Sequence, residues 1–218
     1  MKVLEIELCG EPAQLFPERA LFLPSRSDLL VADLHFGKTE SFRRLGIPLP
    51  PGQTLADLQR LEQLVKSCTP KRLVLLGDFT HAALDPNSPT HRELASGIHR
   101  LRHDHGLEVL LVRGNHDEHE RELSDRLEIP AVLDERAGPF HYVHDPEAST
   151  SDLHLIGGHL HPGINLKDGR DRMFLPVFWV RKQSTVLPSF GGFTGKWPIK
   201  RARGDRLFAV GPDRVLEL

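Results

Sequence analysis

Cysteine is scarce in this chain. The two among its 218 residues, Cys9 and Cys68, lie far apart and in no C-x-x-C arrangement. That excludes a disulfide framework and a thiolate zinc site, and it suits a reducing, cytoplasmic setting. Long apolar runs are missing too. Nowhere do about 18 consecutive apolar residues occur, so no segment is expected to span a membrane. The opening MKVLEIELCGEP carries glutamates inside its short apolar stretch and is not expected to act as a secretory signal. With no internal repeat, low-complexity tract or dividing linker, one domain over residues 1–218 is expected.

Histidine, by contrast, is plentiful, with 13 in the chain. Neutral imidazole is the commonest metal ligand and a frequent acid–base group, so position decides what these residues do. Charge is uneven as well. The net charge is −2, yet residues 167–206 hold ten Lys and Arg against three Asp, a local +7 that leaves −9 for the remainder. Such asymmetry points to a polyanionic partner.

Short apolar runs predict strands at Ala20–Leu23, Leu29–Ala32, Leu73–Leu76, Val109–Val112, Phe140–Val143, Leu153–Ile156 and Phe174–Val180. A helix is predicted from a Thr54 cap to about Val65, with Leu55, Leu58, Leu61, Leu64 and Val65 as its apolar stripe. Another runs from Thr90 to about His103, ended by Gly106. Strands and helices alternate through the first 115 residues, which indicates an α/β domain. Beyond Pro139 the pattern is mostly strands, closing in a hairpin turned at Gly211–Pro212–Asp213–Arg214.

Polar motifs follow five of these runs. LLVADLH leads into Asp33 and His35, RLVLLGD into Asp78, VLLVRGNHD into Asn115 and His116, FHYVH into His144, and LIGGHLH into His159 and His161. In open α/β sheets, sites gather outside the carboxyl ends of strands, so five such ends on one rim would build a single site. Asp33 and His35 are two apart, as are His159 and His161; in extended chain each pair points one way. Gly77 lets the backbone approach closely beside Asp78, whose two oxygens could bridge two cations. Imidazole, carboxylate and amide donors without thiolate suit manganese, iron or zinc.

These motifs resemble those of the calcineurin-like metallophosphoesterase superfamily: D-x-H at Asp33–His35, G-D at Gly77–Asp78, G-N-H-D at Gly114–Asp117, an isolated histidine, and G-H-x-H at Gly158–His161. The resemblance implies a four-layer αββα sandwich, two mixed β-sheets flanked by helices. It implies two divalent ions, one held by Asp33, His35, Asp78 and His161, the other by Asp78, Asn115, His144 and His159. His141 and His154 are alternatives for the isolated histidine; His144 is preferred because it ends a strand-like run before Asp145–Pro146. The implied chemistry is in-line attack on phosphorus by a hydroxide held between the ions. Asn115 and His116 would meet the phosphate, His116 donating a proton or hydrogen bond, with Asp117 orienting its imidazole.

Two longer stretches, VADLHFGKTESFRRLGIPLPPGQT and VLPSFGGFTG, are similar to the ligase-associated DNA-damage-response endonucleases. That similarity implies a manganese-dependent single-stranded DNA endonuclease working beside a repair ligase, a helicase and an exonuclease. The chain departs from that family at Lys196, where a second glycine commonly follows Thr-Gly. The segment 188–197 offers Phe190, Phe193 and Trp197 either as core rings or as base-stacking ones. Lys38, Phe193, Lys196 and Arg201 are the candidate substrate contacts. Other readings are a small-nucleotide or pyrophosphate hydrolase and a catalytically silent scaffold subunit. Residues 32–39 also fit a relaxed P-loop, but Asp33 would repel phosphate there and His35 and Phe36 are too bulky for a backbone cradle.

Overall fold

The structure, a computed structural model, describes residues 2–114, 121–168 and 171–218. Its first sheet has seven strands in sequential order: β1 (Leu4–Leu8), β2 (Glu11–Phe16), β3 (Ala20–Leu23), β4 (Asp28–Ala32), β5 (Arg72–Leu76), β6 (Glu108–Val112) and β7 (Ala131–Val132). The early pairs are antiparallel, and β4 through β7 run parallel. Helices α1 (Lys38–Arg44), α2 (Gln53–Cys68), α3 (Pro89–His103) and α4 (Arg121–Arg126) lie between the parallel strands in sequence.

The second sheet comprises β8 (Glu135–Ala137), β9 (Phe140–Tyr142), β10 (His154–Gly157), β11 (Pro162–Asp168), β12 (Asp171–Val180), β13 (Ser184–Val186), β14 (Trp197–Pro198), β15 (Arg206–Val210) and β16 (Val215–Glu217). It too is mixed: β9, β10 and β13 are parallel neighbours, and β12 pairs antiparallel with both β13 and β15.

Strand alternation explains the layering. Leu29, Val31, Leu73, Leu75, Val109 and Leu111 join Leu58, Leu61 and Leu64 of α2 and Leu94, Ile98 and Leu101 of α3 in one core. Their neighbours Leu30, Ala32, Val74, Leu76 and Val112 face the other way, into a second core with Phe140, Tyr142, Ile156, Phe178 and Phe208. Side chains two apart along a strand share a face, so each parallel strand is apolar on both. The result is two mixed sheets with flanking helices, as expected. Among the described residues, the helices that enter a core cluster do so on the outer face of the first sheet.

At one end the sheets are joined by Asp28, which accepts from Arg72 Nε and Nη2 at 2.9 and 2.7 Å and from the Tyr142 hydroxyl at 2.8 Å. Burial, then the Asp28 charge, pushes the Tyr142 phenol well above its ordinary range, so it remains a donor. The opposite end is the rim where β4, β5, β6, β9 and β10 finish.

Two local expectations are corrected. Thr54 does not cap α2: Gly52, at φ 89, holds that place, and Thr54 Oγ1 accepts instead from the Gly37 N–H at 3.3 Å. Leu55 is exposed, so the buried stripe begins at Leu58. Helix α3 has its cap in Ser88, which accepts from His91 N at 3.1 Å and is followed by Pro89. Strands β1 and β2 were not expected, although Leu4, Ile6 and Leu8 alternate with glutamates. No described helix is long and apolar enough to cross a membrane.

Candidate metal centre

Four of the five strand ends deliver their motif residues to the rim within the described chain. The fifth, after β6, leads to Asn115, His116 and Asp117, which lie outside the described residues. The remaining candidate ligands form two groups, Asp33 with His35 and His161, and Asp78 with His144 and His159; within each, donor atoms lie within 4.8 Å of one another.

The distances are those of atoms facing a common point. Donors each about 2.1 Å from one ion would be about 3.0–3.4 Å apart. His144 Nε2 and His159 Nδ1 are separated by 3.0 Å, and His35 Nε2 and His161 Nε2 by 3.4 Å. Asp78 lies between the groups: Oδ1 is 3.5 Å from His144 Nε2 and Oδ2 is 3.7 Å from His35 Nε2. Asp33 also reaches both ways, with Oδ2 3.5 Å from His161 Nε2 and Oδ1 3.9 Å from His144 Nδ1. Asp33 is wholly buried and Asp78 nearly so. Two desolvated carboxylates at one rim favour positive charge between them. The donor set therefore fits a pair of divalent ions.

Backbone conformation makes this convergence. Asp33, His35, Asp78, His159 and His161 all have positive φ, at 52°, 47°, 47°, 69° and 45°. Asp and His tolerate this left-handed region better than most residues, but five such residues at one rim mark a locally strained site. The expected explanation, that residues two apart point together in extended chain, is corrected here. Each pair turns sharply after its strand, and His159 and His161 enter different groups.

Three motif glycines leave room for these side chains. A Cβ at Gly77 would overlap the His144 ring. One at Gly114 would come 2.5 Å from Asp78 Oδ1, and one at Gly158 2.5 Å from Asp33 Oδ2. The Leu76 carbonyl accepts from His144 Nδ1 at 3.1 Å, which puts the proton there and leaves Nε2 unprotonated, as a cation ligand must be. The other candidate histidines are engaged elsewhere. His141 bonds Asp134 Oδ1 at 2.9 Å and Ser151 Oγ at 3.0 Å, and His154 bonds Thr185 Oγ1 at 2.8 Å.

Asp33 is braced from behind by the segment following β13. Phe190 N donates to Ala32 O at 2.7 Å, Gly191 N to Asp33 O at 3.2 Å, and Ser189 Oγ to Asp33 O at 2.8 Å. Arg19 Nη1 holds the carbonyls of Ser189 and Gly191 at 3.2 and 3.3 Å. Arg60 donates to the Phe190 carbonyl, lies 4.1 Å over its ring and pairs with Asp57 at 3.0 Å. Phe190 is therefore core, whereas Phe193 and Trp197 are exposed, at 42% and 71%.

The predicted substrate contacts separate. Lys38 opens α1 beside the centre; burial lowers its pKa while Asp78 and then Asp33 oppose that shift. Phe193 meets Phe42 edge-on at 6.0 Å, Phe42 stacks on His81 at 6.0 Å, and His81 meets His35 at 5.8 Å. His81 is thus the link between an exposed ring and a candidate ligand. Trp197 N donates to His161 O at 2.8 Å, which sets the Lys196 backbone near the rim, while its ammonium lies 5.3 Å from the centroid of the Phe174 ring. Arg201 is not brought to the centre. It holds the carbonyls of Asp205 and Leu218, beside the start of β15, and β15 pairs there with the end of β12 away from the rim. Two residues that sequence reasoning missed are Asp145, 3.8 Å from His159 Nε2, and Arg113.

This fold, with two candidate donor groups at one rim, is that of a metallophosphoesterase. The calcineurin-like phosphoesterase family model matches residues 29–170, and the chain belongs to that family. It is similar to the nuclease MPE of Pseudomonas putida, at 33% identity over 99% of this chain and 100% of that one, with a TM-score of 0.84. It also matches the phosphoesterase Yfce of E. coli at 17% identity, over 86% and 90% of the two chains, with a TM-score of 0.42. Comparison with curated proteins gives no significant match.

Proposed function

We propose that this chain is a metal-dependent phosphodiesterase that cuts single-stranded DNA internally, with manganese as its working ion. The carrying observation is the Asp78 carboxylate, which faces one donor group with each oxygen. Asp33, His35, Asp78 and His161 would hold one ion, and Asp78, Asn115, His144 and His159 the other. Bound ions supply Lewis acidity and an activated water. The chain's own residues orient and exclude. Leu76 fixes the His144 tautomer, the 189–191 segment fixes Asp33, and Lys38 supplies positive charge beside the substrate. His116 donates to the phosphate or leaving oxygen and Asp117 orients it, as the G-N-H-D motif suggests.

Nucleic acid is favoured by the resemblance to a nuclease across the whole chain and by exposed Phe193, Lys196 and Trp197 near the rim. Rings and cations together suit a flexible strand. The proposal includes action as one cytoplasmic domain, beside a repair ligase, a helicase and an exonuclease. The test is incubation with manganese and labelled single-stranded DNA, duplex DNA and mononucleotide esters. Internal cuts in single strands are expected; turnover of mononucleotide esters alone would refute the nuclease reading.

A further inference from the structure

We propose that Arg113 is the protein's own cation for the substrate phosphate, reached through a cavity on the His144–His159 side of the centre. That cavity holds about 480 Å³ and is lined by both imidazoles together with Arg113, Asp134, His141 and Asp145. Its volume suits a phosphate group with a nucleoside attached.

Arg113 follows β6 directly, and its backbone N–H donates to Val132 O at 2.9 Å, which anchors it at the rim. The side chain is half-buried, and its buried Nε has no hydrogen-bond partner among the described residues. An unpaired buried donor weakens the fold, so fold stability does not account for it. The cavity's carboxylates are committed elsewhere. Asp134 bonds His141 at 2.9 Å, while Asp145 faces His159 at 3.8 Å and accepts from Glu147 N at 2.8 Å. This guanidinium, whose buried Nε has no partner among the described residues, shares its cavity with two candidate metal ligands and is a site for an anion that is not part of the chain. Its planar fork matches two phosphate oxygens.

This inference rests on the phosphoesterase reading, but not on DNA being the substrate. The test uses manganese-loaded protein, bis(4-nitrophenyl) phosphate as substrate and inorganic phosphate as competitive inhibitor. Arg113→Met keeps the apolar stem and removes the charge and the fork of donors. Its inhibition constant for phosphate should rise about tenfold or more, the loss of one charge-assisted hydrogen bond. Metal content should stay at the parent level, the melting temperature should not fall, and added guanidinium chloride should restore part of the phosphate affinity. Arg113→Lys should fall between the two, and it carries the test if Arg113→Met fails to fold. Phosphate inhibiting the variants as strongly as the parent, at equal metal content, would overturn the assignment. If the parent does not cleave the diester, calorimetric titration of phosphate into loaded parent and variant still decides Arg113, and the diesterase reading alone fails.

Discussion

The two halves of the metal centre are built differently. Around Asp33, His35 and His161 the protein closes in: Asp33 is wholly buried, the 189–191 segment grips its backbone, and a file of rings abuts His35. Around Asp78, His144 and His159 it opens. The His159 side chain is 34% exposed against 18% for His161, and a cavity lies beside it. One half is a braced socket and the other an entrance. A binuclear site needs both, because ligands must be held rigidly while the reacting group must still enter.

Asp78 belongs to both halves, so its loss should have the largest effect. Asp78→Asn is expected to lower kcat by on the order of 10³-fold and to reduce bound manganese from two ions toward none. Retention of one tightly bound ion would show that the halves are independent. His159→Ala and His161→Ala should then separate them, each losing about 100-fold in activity but a different ion. Metal analysis at graded manganese concentrations reads this; identical titrations would break the division.

Gly77→Ala attacks mainly the open half, since the new Cβ would overlap the His144 ring at a backbone φ of 74°. A loss of about 2 kcal/mol or more in stability is expected, with weakened binding of one ion. Arg60→Met attacks only the socket by releasing the Phe190 carbonyl. Affinity for one ion should fall about tenfold while the other site keeps its affinity, measurable by manganese titration. Equal weakening of both sites would show that the 189–191 segment does not serve Asp33 in particular.

The contrast between socket and entrance was only partly legible in the sequence. Parallel strands and their polar ends could be read because apolar runs terminate abruptly in Asp, His and Gly, at Ala32, Leu76 and Gly157. Gly77 could be read as a steric necessity, and the structure supplies the His144 ring that occupies the space. The left-handed turns were not legible, because a D-x-H spacing fits an extended strand equally well. Nor was the grip of Arg19 and Arg60 on residues 189–191, since partners 170 and 130 positions away in sequence leave no local pattern. Arg113 was hidden for a different reason. Nothing in its neighbours shows that its Nε will lack a partner among the described residues; that becomes visible only once the cavity's carboxylates are seen bonded elsewhere.

The smallest effect expected is at His154, on the same strand that leads to His159 but outside both halves. Burial lowers its pKa from the ordinary value, and its Nε2 bonds Thr185 Oγ1 at 2.8 Å. The unfolded chain takes up a proton here as pH falls through about 6.5, whereas the folded chain holds off until a lower pH. In that window the unfolded state binds more protons, so acid erodes stability, and above it His154 contributes no pH dependence. His154→Gln keeps a partner for Thr185 and removes the titration. Melting temperature followed from pH 7.5 downward should therefore fall less steeply in the variant below about pH 6.5. Manganese content and activity at neutral pH should match the parent. A change in metal content would place His154 within the open half, and the separation of that half from the core behind it would fail.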